Sequence, residues 1–174
     1  MKVLAFAASS STTSINKRLV TYATTLMASA EIEILDLNDY ELPLFSEDKE
    51  KVLGKPKLAQ DFLDSIAASD ALIVSFAEHN GSYSAAYKNL FDWCSRINPK
   101  VFQNKPMVLL STSPGARGGA GVLALAENSA PFFSGDVKAS YSLPSFYENF
   151  DLEGSCVNNE DIKVLMQSAI DKLK

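Results

Sequence analysis

Short apolar runs alternate along the chain with longer stretches in which apolar residues recur every three or four positions. Five runs predict β-strands: KVLAFAA over 2–8, the alternating EIEILDL over 31–37, ALIVSFA over 71–77, PMVLLST over 106–112 and the weaker VKASYSL over 137–143. Three of them are almost continuous in β-branched or large apolar side chains, which fits strands covered on both faces, as in a parallel sheet. Helical spacing predicts helices over 14–29, 56–69, 84–97, 118–130 and 158–173. In the last of these, Ile162, Leu165, Met166, Ala169, Ile170 and Leu173 form one apolar stripe. Strand and helix alternate from end to end, which predicts an α/β doubly wound sheet. One connection breaks the rhythm: NDYELPLFSEDKEKVLGKP, over 38–56, is longer than most loops of compact domains. It reads equally as the rim of a binding site and as an acidic surface excursion.

In such a sheet, ligands bind beyond the carboxyl ends of the strands, where strand order reverses. The loops after the first, third and fourth strands are SSSTTSIN, EHNGSYS and STSPGARGG. Ser9 to Ser14 are six consecutive hydroxyl residues. Capping of the helix that follows accounts for one or two of them. The first turn of that helix carries Lys17 and Arg18, the wrong sign for the positive end of a helix dipole, whereas the last predicted helix opens on Glu160 and Asp161. A bound phosphate would supply the missing negative charge, taking bonds from open N–H groups, hydroxyls and the amide of Asn16. Helix cap and phosphate site both stand as readings of these residues. The patterns G-x-x-x-x-G-K-[ST] and G-x-G-x-x-G are absent, and residues 1–30 contain no glycine. A terminal monophosphate reached by side chains therefore fits better than a nucleotide's phosphate chain. In the other loops, Asn80-Gly81 and Pro114-Gly115 mark turns, and Gly118-Gly119 allow a flat ligand to approach a helix start.

Composition narrows the function classes. The chain has 174 residues, 47% of them hydrophobic and 21% charged, with a formal net charge of −5, the profile of a globular domain. No basic cluster is present, so nucleic acid is not an expected partner. No apolar run approaches the roughly 20 residues of a membrane span, and MKVLAFAASSS is too short and too soon polar for a secretory signal. Neither membrane nor export is expected, and the cytoplasm is. Cys94 and Cys156 lie far apart and only one histidine is present, so inert reduced thiols and no metal site are expected. No Ser-His-Asp or paired-carboxylate constellation stands out, so no catalytic side chain is expected.

The three loops, in their order and separation, resemble the NAD(P)H-dependent FMN reductase family of the flavodoxin-like fold. The family pattern is roughly G-S-x-R-x-x-S-x-N, then P-E-Y-N-x-S-x-P-G-x-L-K-N-x-x-D-W, then S-P-G-x-x-G-G. Here it stands as ASSSTTSIN, AEHNGSYSAAYKNLFDW and SPGARGG, and the resemblance runs over essentially the whole chain. It implies one flavodoxin-like FMN-binding domain over 1–174, with a five-stranded parallel sheet in the order 2-1-3-4-5 and helices on both faces. It also implies FMN as cofactor and NADPH or NADH as co-substrate. Hydride would pass from nicotinamide to flavin N5 and then to a flavin, quinone, azo compound or other small-molecule electron acceptor, chemistry that the cofactor carries.

By the same likeness, Ser9, Ser14 and Asn16 hold the phosphate, with Ser11 and Ile15 beside them. Glu78, His79, Asn80, Gly81 and Ser82 border the isoalloxazine, and Ser113, Pro114, Gly115, Gly118 and Gly119 close over its pyrimidine side. Lys88, Asn89, Asp92 and Trp93 complete the middle motif as helix and packing residues. A homodimer or homotetramer is implied, with an interface bordering the flavin. The chain departs from the pattern at Ala8, Ser11, Ala77, His79 and Ser84, which replace glycine, arginine, proline, tyrosine and a second proline. Loss of the arginine removes a planar, always-charged fork; weaker FMN binding is expected unless Lys17, Arg18 or Arg117 reaches in. Two other readings remain: a flavodoxin-like electron carrier, disfavoured because its T-x-T-G-x-T loop is absent, and a flavin-binding protein without turnover.

Overall fold

The computed structural model describes residues Met1–Lys174. Five parallel strands, β1 (Lys2–Ala8), β2 (Glu31–Leu35), β3 (Ala71–Phe76), β4 (Pro106–Thr112) and β5 (Asp136–Leu143), lie in the order β2-β1-β3-β4-β5. This is the flavodoxin-like order that the resemblance implied. Leu4 of β1 sits opposite Glu33 on one side and Leu72 on the other. The three central strands are buried nearly end to end, as their unbroken apolar runs require, and the two edge strands are half covered. Glu31 and Glu33 place charge on the free edge of β2, which discourages pairing with another sheet.

Alternation along the strands splits the core into two layers. Leu4, Phe6, Leu72, Val74 and Leu109 face α3 (Lys57–Ala67), α4 (Ala85–Ile97) and α5 (Ala120–Ser129). Val3, Ala5, Ile73, Val108 and Leu110 face α1 (Ile15–Thr25) and α7 (Glu160–Ile170). The α7 stripe is narrower than its spacing predicts, because Leu165 is 51% exposed. No helix is long and apolar enough to cross a membrane.

Helix ends differ from the periodic pattern because caps set them. Ser14, Ser84 and Asn159 stand just outside α1, α4 and α7, and each accepts the N–H three residues on. Gly118 and Gly119, expected to open the fifth helix, take left-handed φ values of +57° and +77° before it begins. The 38–56 connection is not a bare loop: a 3-10 turn at Leu37–Tyr40 runs into it, and it contains α2 (Glu47–Leu53), which buries no residue. Between them, Trp93 donates to the Pro43 carbonyl (2.7 Å), while Asn89 donates to the Leu42 carbonyl and accepts from the Phe45 N–H. These two motif residues fasten the connection to α4. After β5, α6 (Phe146–Asn149) and an antiparallel ribbon of β6 (Phe150–Asp151) and β7 (Cys156–Val157) follow; the apolar pattern signals neither.

Candidate functional site

The carboxyl ends of β1, β3 and β4 open on one edge of the sheet, and the loops that leave them surround a cleft of about 260 Å³. Asn16 ties these ends together. It is buried; its Oδ1 accepts from the Ser75 hydroxyl (2.8 Å) and the Thr112 N–H (3.0 Å), and its Nδ2 donates to the Thr112 carbonyl (3.1 Å). The amide that the sequence assigns to phosphate thus joins α1 to β3 and β4. Ser84, at the family's second proline, donates to the Ala8 carbonyl (2.8 Å) and accepts from the Tyr87 N–H (3.3 Å). Proline has no side-chain donor for such a tie.

Capping is realised at Ser14, whose Oγ accepts from the Lys17 N–H (3.2 Å). The Ser9 Oγ accepts from the Ser11 N–H (3.2 Å), and the Ser11 and Thr13 hydroxyls lie 3.4 Å apart. A hydroxyl that accepts keeps its proton to donate. The backbone N–H groups of Thr12, Thr13, Ile15 and Asn16 meet no acceptor within the chain. Lys17 does not reach into the cleft: it pairs with Asp36, and this bond from its ammonium holds the Asp36 carboxyl below the ordinary aspartate range. Arg18 and Arg117 are exposed, and the cleft lining holds neither lysine nor arginine. An anion at the amino end of α1 would meet neutral donors and the helix dipole.

In the second loop, His79 and Ser82 exchange two backbone bonds of 2.9 and 3.1 Å across Asn80 and Gly81. The φ values of those two residues, 51° and 78°, are the positive ones a two-residue turn of this kind needs. Asn80, Gly81 and Ser82 are thereby carried into solvent beyond the cleft, while Ala77, Glu78 and His79 line it. The Glu78 Oε2 accepts from the Val122 N–H (3.0 Å) and so closes the amino end of α5, where Gly119 at the cap position offers no side chain.

From the third loop, Ser113 and Pro114 line the cleft and Gly115 is exposed. Gly118 and Gly119 are buried beneath the loop, outside the lining. A Cβ on Gly118 would fall 2.6 Å from the Leu143 carbonyl oxygen, and one on Gly119 would fall 3.2 Å from the Ser111 Cβ. Both glycines therefore answer to packing against β4 and β5. The Gly118 carbonyl accepts from the Ser111 and Ser142 hydroxyls (2.8 and 2.9 Å).

Besides Ser9, Ser11, Ser14, Ile15 and Asn16, the lining includes Thr13, Thr112 and Tyr147, which sequence reasoning did not name as site residues. Tyr147 arrives from α6 and is 61% exposed; its only signal was that the fifth strand also ends at this edge. No three His, Cys, Asp or Glu side chains come together as a metal site. The side chains of the lining's serines, His79 and Glu78 share no hydrogen bond with one another, and the Glu78 carboxylate is engaged by the Val122 N–H. What the lining offers is a set of open N–H and hydroxyl donors at the start of α1, continuous with the rest of the cleft.

The family model described as NADPH-dependent FMN reductase matches residues 1–146. Among curated proteins, the chain is 37% identical over 89 residues to an NAD(P)H-dependent FMN reductase of Pseudomonas aeruginosa, a match covering 51% of this chain and 46% of that protein. It is 36% identical over 89 residues to the NADPH:quinone oxidoreductase of Arabidopsis thaliana, covering 51% and 44%. The chain spans about half the length of the curated relatives it matches. Among solved structures, the flavoenzyme NAD(P)H:(acceptor) oxidoreductase FerB from Paracoccus denitrificans superposes with a TM-score of 0.78, covering 99% of this chain and 94% of that one at 24% identity. The azoreductase AzrA gives a TM-score of 0.62 over 98% of each chain at 14% identity. These structural matches are likenesses of fold.

Proposed function

The chain belongs to the NADPH-dependent FMN reductase family, and from that premise we propose that its cleft binds FMN and that it passes electrons from NADPH or NADH to a small acceptor. One observation carries this reading. Four unpartnered N–H groups, at Thr12, Thr13, Ile15 and Asn16, and the hydroxyls of Ser9, Ser11 and Ser14 gather at the start of α1, whose first turn holds no acid. Such a set fits a terminal monophosphate. At about 1.5–3 kcal/mol per bond to a charged group, hydroxyls and amides can hold it without the family's arginine.

FMN, when bound, supplies the hydride chemistry of its ring. The chain's own residues bind and orient it. Ala77, Glu78 and His79 bound the remaining cleft on one side, and Ser113, Pro114 and Tyr147 on the other. Glu78, engaged by the Val122 N–H, positions the 77–79 segment; no side chain is assigned a catalytic role. At about 260 Å³ the cleft is smaller than the usual ligand pocket of roughly 300–1,000 Å³. A three-ring isoalloxazine would overhang its mouth beside the Asn80-Gly81 turn. We infer that a second copy of the chain covers that overhang, in a homodimer or homotetramer. The names of the curated relatives support a quinone as acceptor. We assign residues 1–174 to one FMN-binding domain, acting in the cytoplasm, where its two free thiols stay reduced.

Purified protein mixed with FMN and NADPH under air is expected to quench flavin fluorescence and to oxidise the nucleotide steadily. FMN bound without oxidation would leave an electron carrier instead. The double variant Ser9→Ala/Ser14→Ala is expected to lose about 3 kcal/mol of FMN affinity, roughly a hundredfold. Unchanged affinity would overturn the phosphate placement.

A further inference from the structure

A second space lies away from the cleft, between α4 and α5, and shares no lining residue with it. It is a cavity of about 120 Å³ with mostly apolar walls, close to the roughly 150 Å³ known to hold one benzene ring. The walls are chiefly aromatic. The ring of Tyr87 lies 5.4 Å from Phe76, 5.2 Å from Tyr83 and 5.7 Å from Phe91, centroid to centroid, and Phe91 meets Phe133 edge-on at 4.7 Å.

The few polar groups there are mostly paired. The Tyr83 hydroxyl shares a hydrogen bond with Ser129 (2.9 Å), and Lys88 donates to Asp92 (2.7 Å). Tyr87 is the exception. It is only 4% exposed, yet its hydroxyl has no hydrogen-bond partner in the chain and is not sealed off by protein. A hydroxyl left open at the wall of a mostly apolar space can share a hydrogen bond with a ligand's oxygen there.

We propose that this cavity binds a neutral, single-ring aromatic molecule of the phenol class, its ring against the aromatic walls and its oxygen on the Tyr87 hydroxyl. The volume admits one ring. Neutrality follows because Lys88 and Asp92 neutralise each other, leaving no countercharge for a carboxylate or an ammonium. The aromatic walls favour a flat ring through edge-to-face contacts over a branched aliphatic of equal volume. The site stands whether or not the cleft holds flavin.

Fluorine NMR of 4-fluorophenol and of fluorobenzene, titrated with the full chain, tests the assignment. Both probes are expected to bind saturably, the phenol more tightly. Tyr87→Phe removes only the hydroxyl and is expected to weaken 4-fluorophenol about tenfold while leaving fluorobenzene unchanged. Ala126→Leu, which fills the cavity from α5, is expected to abolish binding of both probes without changing FMN affinity; Ala130→Val gives the same readout if the leucine variant folds poorly. Three results would overturn the proposal: no saturable binding of either probe, equal binding of the phenol by Tyr87→Phe, or probe binding that survives a filled cavity.

Discussion

Two helices begin at the same edge of the sheet and treat their positive ends in opposite ways. The start of α5 is closed from within: Gly118 and Gly119 bend the chain against β4 and β5, and the Glu78 carboxylate takes the Val122 N–H. The start of α1 is left open. Ser14 caps one N–H, the first turn carries no acid, and the nearby Lys17 is neutralised by Asp36. In the closed case the dipole is answered by the chain's own carboxylate. In the open case we read the missing partner as the ligand's phosphate.

The sharpest way to break this contrast is to disturb the closed end. Gly118→Ala forces a Cβ into the Leu143 backbone at a left-handed φ and is expected to cost about 4 kcal/mol. Thermal unfolding should show the melting temperature falling by roughly 10 °C; an unshifted transition would show that the tight turn before α5 is dispensable. Asn16→Ala attacks the support of the open end. It strands the Thr112 N–H and the Ser75 hydroxyl in a buried place, and about 3 kcal/mol of stability should be lost on urea unfolding. This separates Asn16 from the hydroxyls, because Ser9→Ala/Ser14→Ala should lower flavin affinity with far less loss of stability.

Glu78→Gln keeps an acceptor for Val122 and removes the charge. About 1 kcal/mol should go from the unfolding free energy, with FMN affinity held or raised; a large fall in affinity would mean that Glu78 acts on the ligand directly. The smallest effect concerns the Lys17–Asp36 pair. The folded Asp36 lies below its ordinary value near 3.8, so its contribution is full above that value and is lost as pH falls through the depressed one. The pair is about a third exposed, which limits the effect to below about 1 kcal/mol. Urea midpoints measured from pH 2 to pH 6 should show this acid-side loss shrinking in Lys17→Met.

The strands were legible because a buried parallel strand must be apolar on both faces, and KVLAFAA, ALIVSFA and PMVLLST state that locally. The helices were legible in position and misjudged at their ends. Periodicity records which face is buried; caps such as Ser84 and the glycine turn before α5 decide where the helix begins. The 38–56 connection was misjudged for a related reason: the groups that order it, Asn89 and Trp93, lie more than 40 positions downstream.

By itself, the sequence determined the alternation of strands and helices, the three loops that meet at the sheet edge and, through its motifs, the family. Only the tertiary structure decided that the Asn16 amide faces inward, that Glu78 closes α5, that Gly118 and Gly119 lie beneath the cleft, and that Tyr147 reaches it. The division has a physical cause. Burial periodicity and turn chemistry are properties of neighbours in the chain, whereas the partner of a buried polar group is set by which distant strand the sheet brings alongside it.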